Sequence, residues 1–263
     1  MDAYKVIKID DGTWAFDEGM VKSYLLAGKE RAMLIDSGNG AGDLRQLVSS
    51  LTDRPVMLVN THADGDHTGC NDQFDTPYLH PSEFAYYEER NPGKAHLALP
   101  DSAKVYLGDR WVEVLLIPGH TCGSIALLDE ERRYLFSGDM VSESPIFMFG
   151  AQRSMLAYYS SLVRLSRRAE DFDKIFPAHG PMPLEPEIIT RLMDCCEAAL
   201  AGKLEAQEPP FPIPAKLYSQ NGVGFLLNSR QHRHNPRHAS CLHTIPSYRL
   251  KILGNTQSIA CGF

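Results

Sequence analysis

The run Thr61-His62-Ala63-Asp64-Gly65-Asp66-His67-Thr68-Gly69 places four side chains that can bind a cation, His62, Asp64, Asp66 and His67, within six residues. It follows Pro55 to Val59, an apolar run that reads as a buried strand, so the cluster begins where a strand ends. On extended chain, residues two apart project to the same side, and His62 and Asp64 can therefore grip one ion. Gly65 permits a sharp bend that turns Asp66 and His67 towards a second ion close by. Imidazole and carboxylate donors suit zinc and also accept iron or manganese.

Three further residues stand in the same kind of place. His120 lies in Pro118-Gly119-His120-Thr121, Asp139 in Ser137-Gly138-Asp139, and His179 in Pro177-Ala178-His179-Gly180, each after an apolar run and beside a glycine. Strand ends in layered α/β folds gather at one edge, so residues distant in sequence converge there. A single histidine at a strand end is more often a structural hydrogen-bonding residue than a ligand. Four such positions in one chain make coincidence a poor explanation.

The elements needed to position these residues are visible as patterns. Tyr4 to Ile9, Val21 to Ala27 and Arg31 to Ile35 are short apolar runs separated by turn signals such as Gly12-Thr13, which predicts successive antiparallel strands. Leu44, Leu47, Val48 and Leu51 recur at helical spacing, and helical periodicity returns over Pro81 to Arg90, Met155 to Arg168 and Leu184 to Leu204. Trp111 to Ile117, Arg133 to Phe136 and Ile175-Phe176 read as strands. Strands and helices interleaved twice predict an α/β layered fold, although periodicity alone does not separate an open sheet from a two-sheet sandwich.

At this point the chain resembles the metallo-β-lactamase superfamily, whose signature is a His-x-His-x-Asp-His run followed by separate His, Asp and His residues. The resemblance extends from about Tyr4 to Leu227. It implies a four-layer αββα sandwich with two divalent metal ions, zinc first among them, at one edge of the sheets. It further implies that His62, Asp64 and His120 hold the first ion, Asp66, His67 and His179 the second, and that Asp139 bridges them. Hydrolysis is the reaction expected of such a centre, with Asp66 orienting the attacking water and a small ester, thioester or lactone as substrate. Asp64 departs from the pattern by replacing the second histidine. A carboxylate there adds a negative charge and makes the first site harder, which favours manganese or iron. Cys70 and Cys122 depart in the two glycine-rich turns and read as small packing residues.

Other residues carry less. His80 before Pro81 reads as a structural histidine, Tyr158 and Tyr159 as helix packing or surface, and Arg153 as solvated surface in preference to an anion-binding group. Ile146-Phe147-Met148-Phe149 is as compatible with core as with an apolar substrate wall.

Composition narrows the function classes. The chain is 43% hydrophobic and 22% charged, the proportions of an ordinary globular protein. Its net charge of −7 conceals a break: from Asn228 onward there are five Arg or Lys and no acidic residue, which leaves 21 basic against 33 acidic residues before it. An acidic body disfavours nucleic-acid binding and a nuclease. We therefore expect one hydrolase domain over residues 1–228 and a basic, poorly ordered tail over 229–263. The tail's histidines do not require a metal role. No apolar run is long enough to span a membrane and the start lacks a secretory pattern, so the expected location is the cytoplasm, with free thiols. The glyoxalase II branch is disfavoured because little chain follows the second long helix. The alternatives to a small-molecule hydrolase are a β-lactamase and a non-catalytic metal-binding or interaction protein that keeps the fold. Oligomeric state is not legible.

Overall fold

The computed structural model describes residues 3–228, so the tail expected over 229–263 lies outside the described residues. The first half runs β1 (Lys5–Asp10), β2 (Thr13–Asp17), β3 (Lys22–Ala27), β4 (Ala32–Ile35), α1 (Leu44–Leu51), β5 (Val56–Val59), the single turn α2 (Gly65–Thr68), β6 (Tyr78–Leu79), α3 (Phe84–Arg90) and β7 (Leu97–Ala98). The second half runs β8 (Lys104–Tyr106), β9 (Trp111–Leu116), β10 (Ile125–Asp129), β11 (Tyr134–Gly138), β12 (Ile146–Phe147), α4 (Met155–Ser166), β13 (Lys174–Pro177), α5 (Ile188–Leu200), β14 (Lys216–Gln220) and β15 (Val223–Leu227).

Strands β1 to β7 form one sheet in chain order, antiparallel as far as β4 and parallel from there. The second sheet has the order β13-β11-β10-β9-β8, and β12-β15-β14 form a third, smaller one. The pleat explains why β3 and β4 are buried on both faces. Cross-strand partners Leu26 and Met33 face the second sheet, where they join Val112, Val114, Leu127 and Phe136. Their neighbours Leu25 and Leu34, also partners, face the opposite way and pack with Leu44 and Val48 of α1. On the far side of the second sheet, Leu115, Leu128 and Leu135 pack with Leu162 and Leu165 of α4 and Leu192 of α5. The layers are helix, sheet, sheet, helix, as the resemblance implies.

Several strands escape the sequence patterns, β2 and β10 among them. Beyond the turn at Gly12 lies β2, which pairs with both β1 and β3, and β10 is a fully buried central strand with no alternation to mark it. Cys70, Cys195 and Cys196 are free, buried thiols. His80 is structural, its Nδ1 accepting from the Ser82 amide at the start of a short 3-10 turn, and Tyr158 is a buried packing residue. No helix among the described residues is long and apolar enough to cross a membrane.

Candidate metal centre

Strand direction assembles the site. Because β9 and β11 are each antiparallel to β10, they run the same way, and β13 is parallel to β11. The carboxyl ends of β9, β11 and β13 therefore share one edge, and from there the chain leads to His120, Asp139 and His179. The first sheet contributes the segment after β5. Here Gly65 starts a one-turn helix, so the bend expected at this glycine is helical and returns His67 to a fully buried position. Gly138, just before Asp139, has φ of +52°, and a Cβ there would lie 2.7 Å from Thr61 Oγ1. Only glycine lets β11 end this close to the His62 loop.

Each histidine uses Nδ1 for anchorage. His120 Nδ1 donates to the Phe147 carbonyl at 2.9 Å and His179 Nδ1 to the Met20 carbonyl at 2.6 Å. His67 Nδ1 donates to Asp36 Oδ2 at 2.8 Å. The Thr61 hydroxyl donates to the same carboxylate oxygen, so it accepts from His62 Nδ1 at 3.0 Å. Carbonyl and carboxylate oxygens only accept, which fixes the Nδ1–H tautomer and turns all four Nε2 atoms towards one another.

Asp139 lies between two groups of donors. Its Oδ1 is 3.1 Å from His67 Nε2 and 3.2 Å from His179 Nε2, while its Oδ2 is 3.4 Å from His120 Nε2. Asp66 Oδ2 sits 3.4 Å from His179 Nε2 and 3.8 Å from His67 Nε2. His62, His120 and Asp139 form one set able to surround an ion, and Asp66, His67 and His179 a second, with ligand atoms within 4.8 Å of one another in each. Seven buried side-chain polar atoms among the described residues have no hydrogen-bond partner, and His62 Nε2, His67 Nε2 and Asp139 Oδ1 are three of them. Buried polar atoms are rarely left unpaired, and these three converge on the site. The donor chemistry and the orphaned atoms both fit divalent ions.

The electrostatics of the protein alone tell the same story. Burial opposes charge on His179, but Asp139 and Asp66 raise its pKa to about 10. Burial likewise opposes charge on His67, whose pKa nevertheless stands well above the usual histidine value because Asp139 and Asp36 flank it. Burial keeps His120 lowered. In the metal-free protein, the His179 proton stabilises the fold fully below about pH 6.5, and that contribution is lost as pH rises through about 10. Ligand nitrogens must give up these protons to bind metal, so apparent metal affinity will climb with pH towards about 10, with proton release measurable by calorimetry in buffers of different ionisation enthalpy. A pH-independent affinity between 6.5 and 9 would contradict this account.

Asp64 is differently engaged. Its Oδ2 lies 3.5 Å from His62 Nε2 and 3.1 Å from His120 Nε2, but it is also ion-paired with Arg153 Nη2, and its Oδ1 accepts from the Tyr86 hydroxyl at 2.6 Å. Although burial alone would raise it, the neighbouring His120 and His62 hold this carboxyl well below the usual carboxylate range. Arg153 is thus not the solvated surface residue that its sequence context implies. Its side chain is 10% exposed, because the turn before α4 folds it inward onto the site.

Sequence patterns also miss two carboxylates behind the ligands. Asp36, with φ of +59°, accepts from the Thr61 amide and hydroxyl and from His67. Glu83 accepts from the Ala63 amide at 2.9 Å, the Gly123 amide at 2.8 Å and the Thr121 hydroxyl at 2.9 Å. It ties the His62 loop to the His120 loop. The position of Asp36 after an apolar run and before Ser37-Gly38 is the same signal that marks the ligands; Glu83 carries none.

A family model described as the metallo-beta-lactamase superfamily matches residues 16–179, which include all seven candidate ligands. The chain belongs to this superfamily, and it is a hydrolase of that fold. Among curated relatives, it is 25% identical over 228 aligned positions to the acyl-coenzyme A thioesterase MBLAC2 of Homo sapiens, covering 68% of this chain and 82% of that protein. It is 27% identical to a hydroxyacylglutathione hydrolase of Francisella tularensis subsp. tularensis over 157 positions, covering 59% of this chain and 61% of that protein. Among solved structures, a metallo-beta-lactamase from Pontibacter korlensis superposes with a TM-score of 0.65 at 20% identity, covering 74% of this chain and 99% of that one. That likeness concerns the fold alone.

Proposed function

We propose that the protein is a dinuclear metal hydrolase of small acyl substrates, with thioesters ahead of simple esters and lactones. The observation that carries this reading is the convergence of four anchored imidazoles, all Nε2 inward, on the Asp139 carboxylate. His62, His120 and Asp139 would hold one ion, with Asp64 alongside, and Asp66, His67 and His179 the other with Asp139 between. Zinc is the first choice, and manganese or iron are accepted beside Asp64. Two divalent ions in such a site acidify water and polarise a carbonyl oxygen. Asp66 is the most open carboxylate of the set, with its side chain 40% exposed, and its pKa is lowered despite burial by His179 and His67. It therefore stays ionised as an acceptor that orients the attacking water.

Thioesters lead because both curated relatives described above act on acyl groups carried by a thiol cofactor, and because the site has an apolar neighbour. Phe147, whose carbonyl anchors His120, is 36% exposed and stacks on Phe211 at 6.0 Å, with Phe149 at 5.7 Å. This trio would seat an acyl chain. Phe147→Ala is expected to raise KM for longer acyl thioesters roughly tenfold while leaving kcat for acetyl substrates near wild type, given what burial of an aromatic ring contributes. An equal effect on all chain lengths would remove the trio from substrate binding.

Elemental analysis of protein prepared without chelator is expected to give close to two metal ions per chain. A screen of acyl thioesters, by thiol release, against esters, lactones and a β-lactam tests the substrate class. Full turnover by metal-free protein would overturn the mechanism, and hydrolysis of the β-lactam alone would overturn the substrate.

A further inference from the structure

We propose that Arg153 is a tethered cation that competes with the metal ion at the first donor set, making that set the weaker of the two metal sites. The inference rests on the dinuclear reading and concerns how its two halves fill. In the tautomer fixed by the Phe147 carbonyl, His120 Nε2 presents a lone pair, and it faces Asp64 Oδ2 at 3.1 Å. Two acceptors this close need a cation shared between them. Arg153 Nη2 provides it, bonded to Asp64 Oδ2 and 3.4 Å from His120 Nε2.

The guanidinium is held in this place. The Tyr86 hydroxyl donates to Asp64 Oδ1 and accepts from Arg153 Nη1 at 3.4 Å, and the Tyr86 ring lies 5.8 Å from the guanidinium carbon. Arg153 Nε is a further buried atom without a hydrogen-bond partner, so the group sits there for its charge more than for a saturated set of bonds. Asp64 adds a negative charge to the superfamily pattern, and the Arg153 guanidinium paired with it supplies a positive one. The pair is together as neutral as the imidazole that Asp64 replaces.

An ion held by His62, His120 and Asp139 would share His120 with this guanidinium, whose Nη2 already lies 3.4 Å from His120 Nε2. Like charges so close in a largely buried site repel strongly. Among the described residues, no Arg or Lys is hydrogen-bonded or ion-paired to Asp66, His67 or His179. The second set therefore fills first, and the first set fills only as Arg153 withdraws from His120.

The test is a Zn2+ titration of the metal-free full chain by calorimetry and by competition with a chromophoric chelator. Wild type is expected to bind in two separated steps. Arg153→Met should tighten the weaker step tenfold or more and leave the tighter one within about twofold, which also reports an intact fold. Arg153→Lys, which keeps the charge, should stay near wild type, and Asp64→His combined with Arg153→Met should bring the two steps close together. A weaker step that is unchanged or weakened in Arg153→Met, beside an unaltered tight step, would overturn the competition and leave the two-metal reading standing. One ion or none in both wild type and Arg153→Met would overturn both.

Discussion

Replacing His120 by alanine will lower turnover by several orders of magnitude while leaving the far-ultraviolet circular dichroism and a cooperative melting transition in place. The imidazole follows β9 at an edge of the core, and its loss removes one of the donors His62, His120 and Asp139 without breaking a strand pairing. Water activation by a two-ion centre depends on both ions being held, so the chemical step should fail far more than the fold does. His179→Ala makes the same point from the other donor set, at smaller structural cost because that side chain is 25% exposed. For either variant the expected loss of stability is about 1–3 kcal/mol, a shift of several degrees in Tm. Elemental analysis of the two variants is expected to give fewer metal ions per chain than wild type. Wild-type rates in both would mean that the convergent edge is not where the chemistry occurs.

The seven candidate ligands are legible in the sequence because each stands just beyond an apolar run with a glycine at hand, a local signature that survives without any knowledge of pairing. Their supports are not. Glu83 and Arg153 act on residues between 20 and 89 positions away, and a carboxylate whose partners are backbone amides selects no residue type in the segments it holds. For Arg153 the local context is actively misleading, since a polar turn before a helix normally faces water, and only the packing of α4 brings the turn against α3 and Tyr86. The four layers are legible through the superfamily resemblance more than through periodicity. Strand β10, buried on both faces, has an unbroken apolar run that a helix segment could equally supply. The charge argument for Asp64 changes most: taken alone, the carboxylate makes the first site harder and more negative, but beside Arg153 that extra charge is already offset.

Glu83→Ala is expected to cost about 3–5 kcal/mol of stability, more than either ligand substitution, although Glu83 touches none of the four histidines through a hydrogen bond. The carboxylate is 1% exposed, and its removal would leave the amides of Ala63 and Gly123 and the hydroxyl of Thr121 buried beside a void. Each lost partner exposes a buried donor to a full desolvation penalty, so the three effects act together instead of averaging out. The same three bonds tie the His62 loop to the His120 loop, since Ala63 follows His62 and Thr121 follows His120 in the chain. Metal affinity at the first donor set should fall with stability, while the second set, anchored through Asp36 and Met20, is less affected. Glu83→Gln separates the contributions: its amide keeps one acceptor oxygen but turns an NH2 towards groups that can only donate or must reorient, so its loss should be intermediate. Denaturant melts combined with metal titration measure both quantities. A Glu83→Ala protein as stable as wild type, or one that loses stability with first-set affinity unchanged, would show that the two ligand loops hold their spacing without this carboxylate.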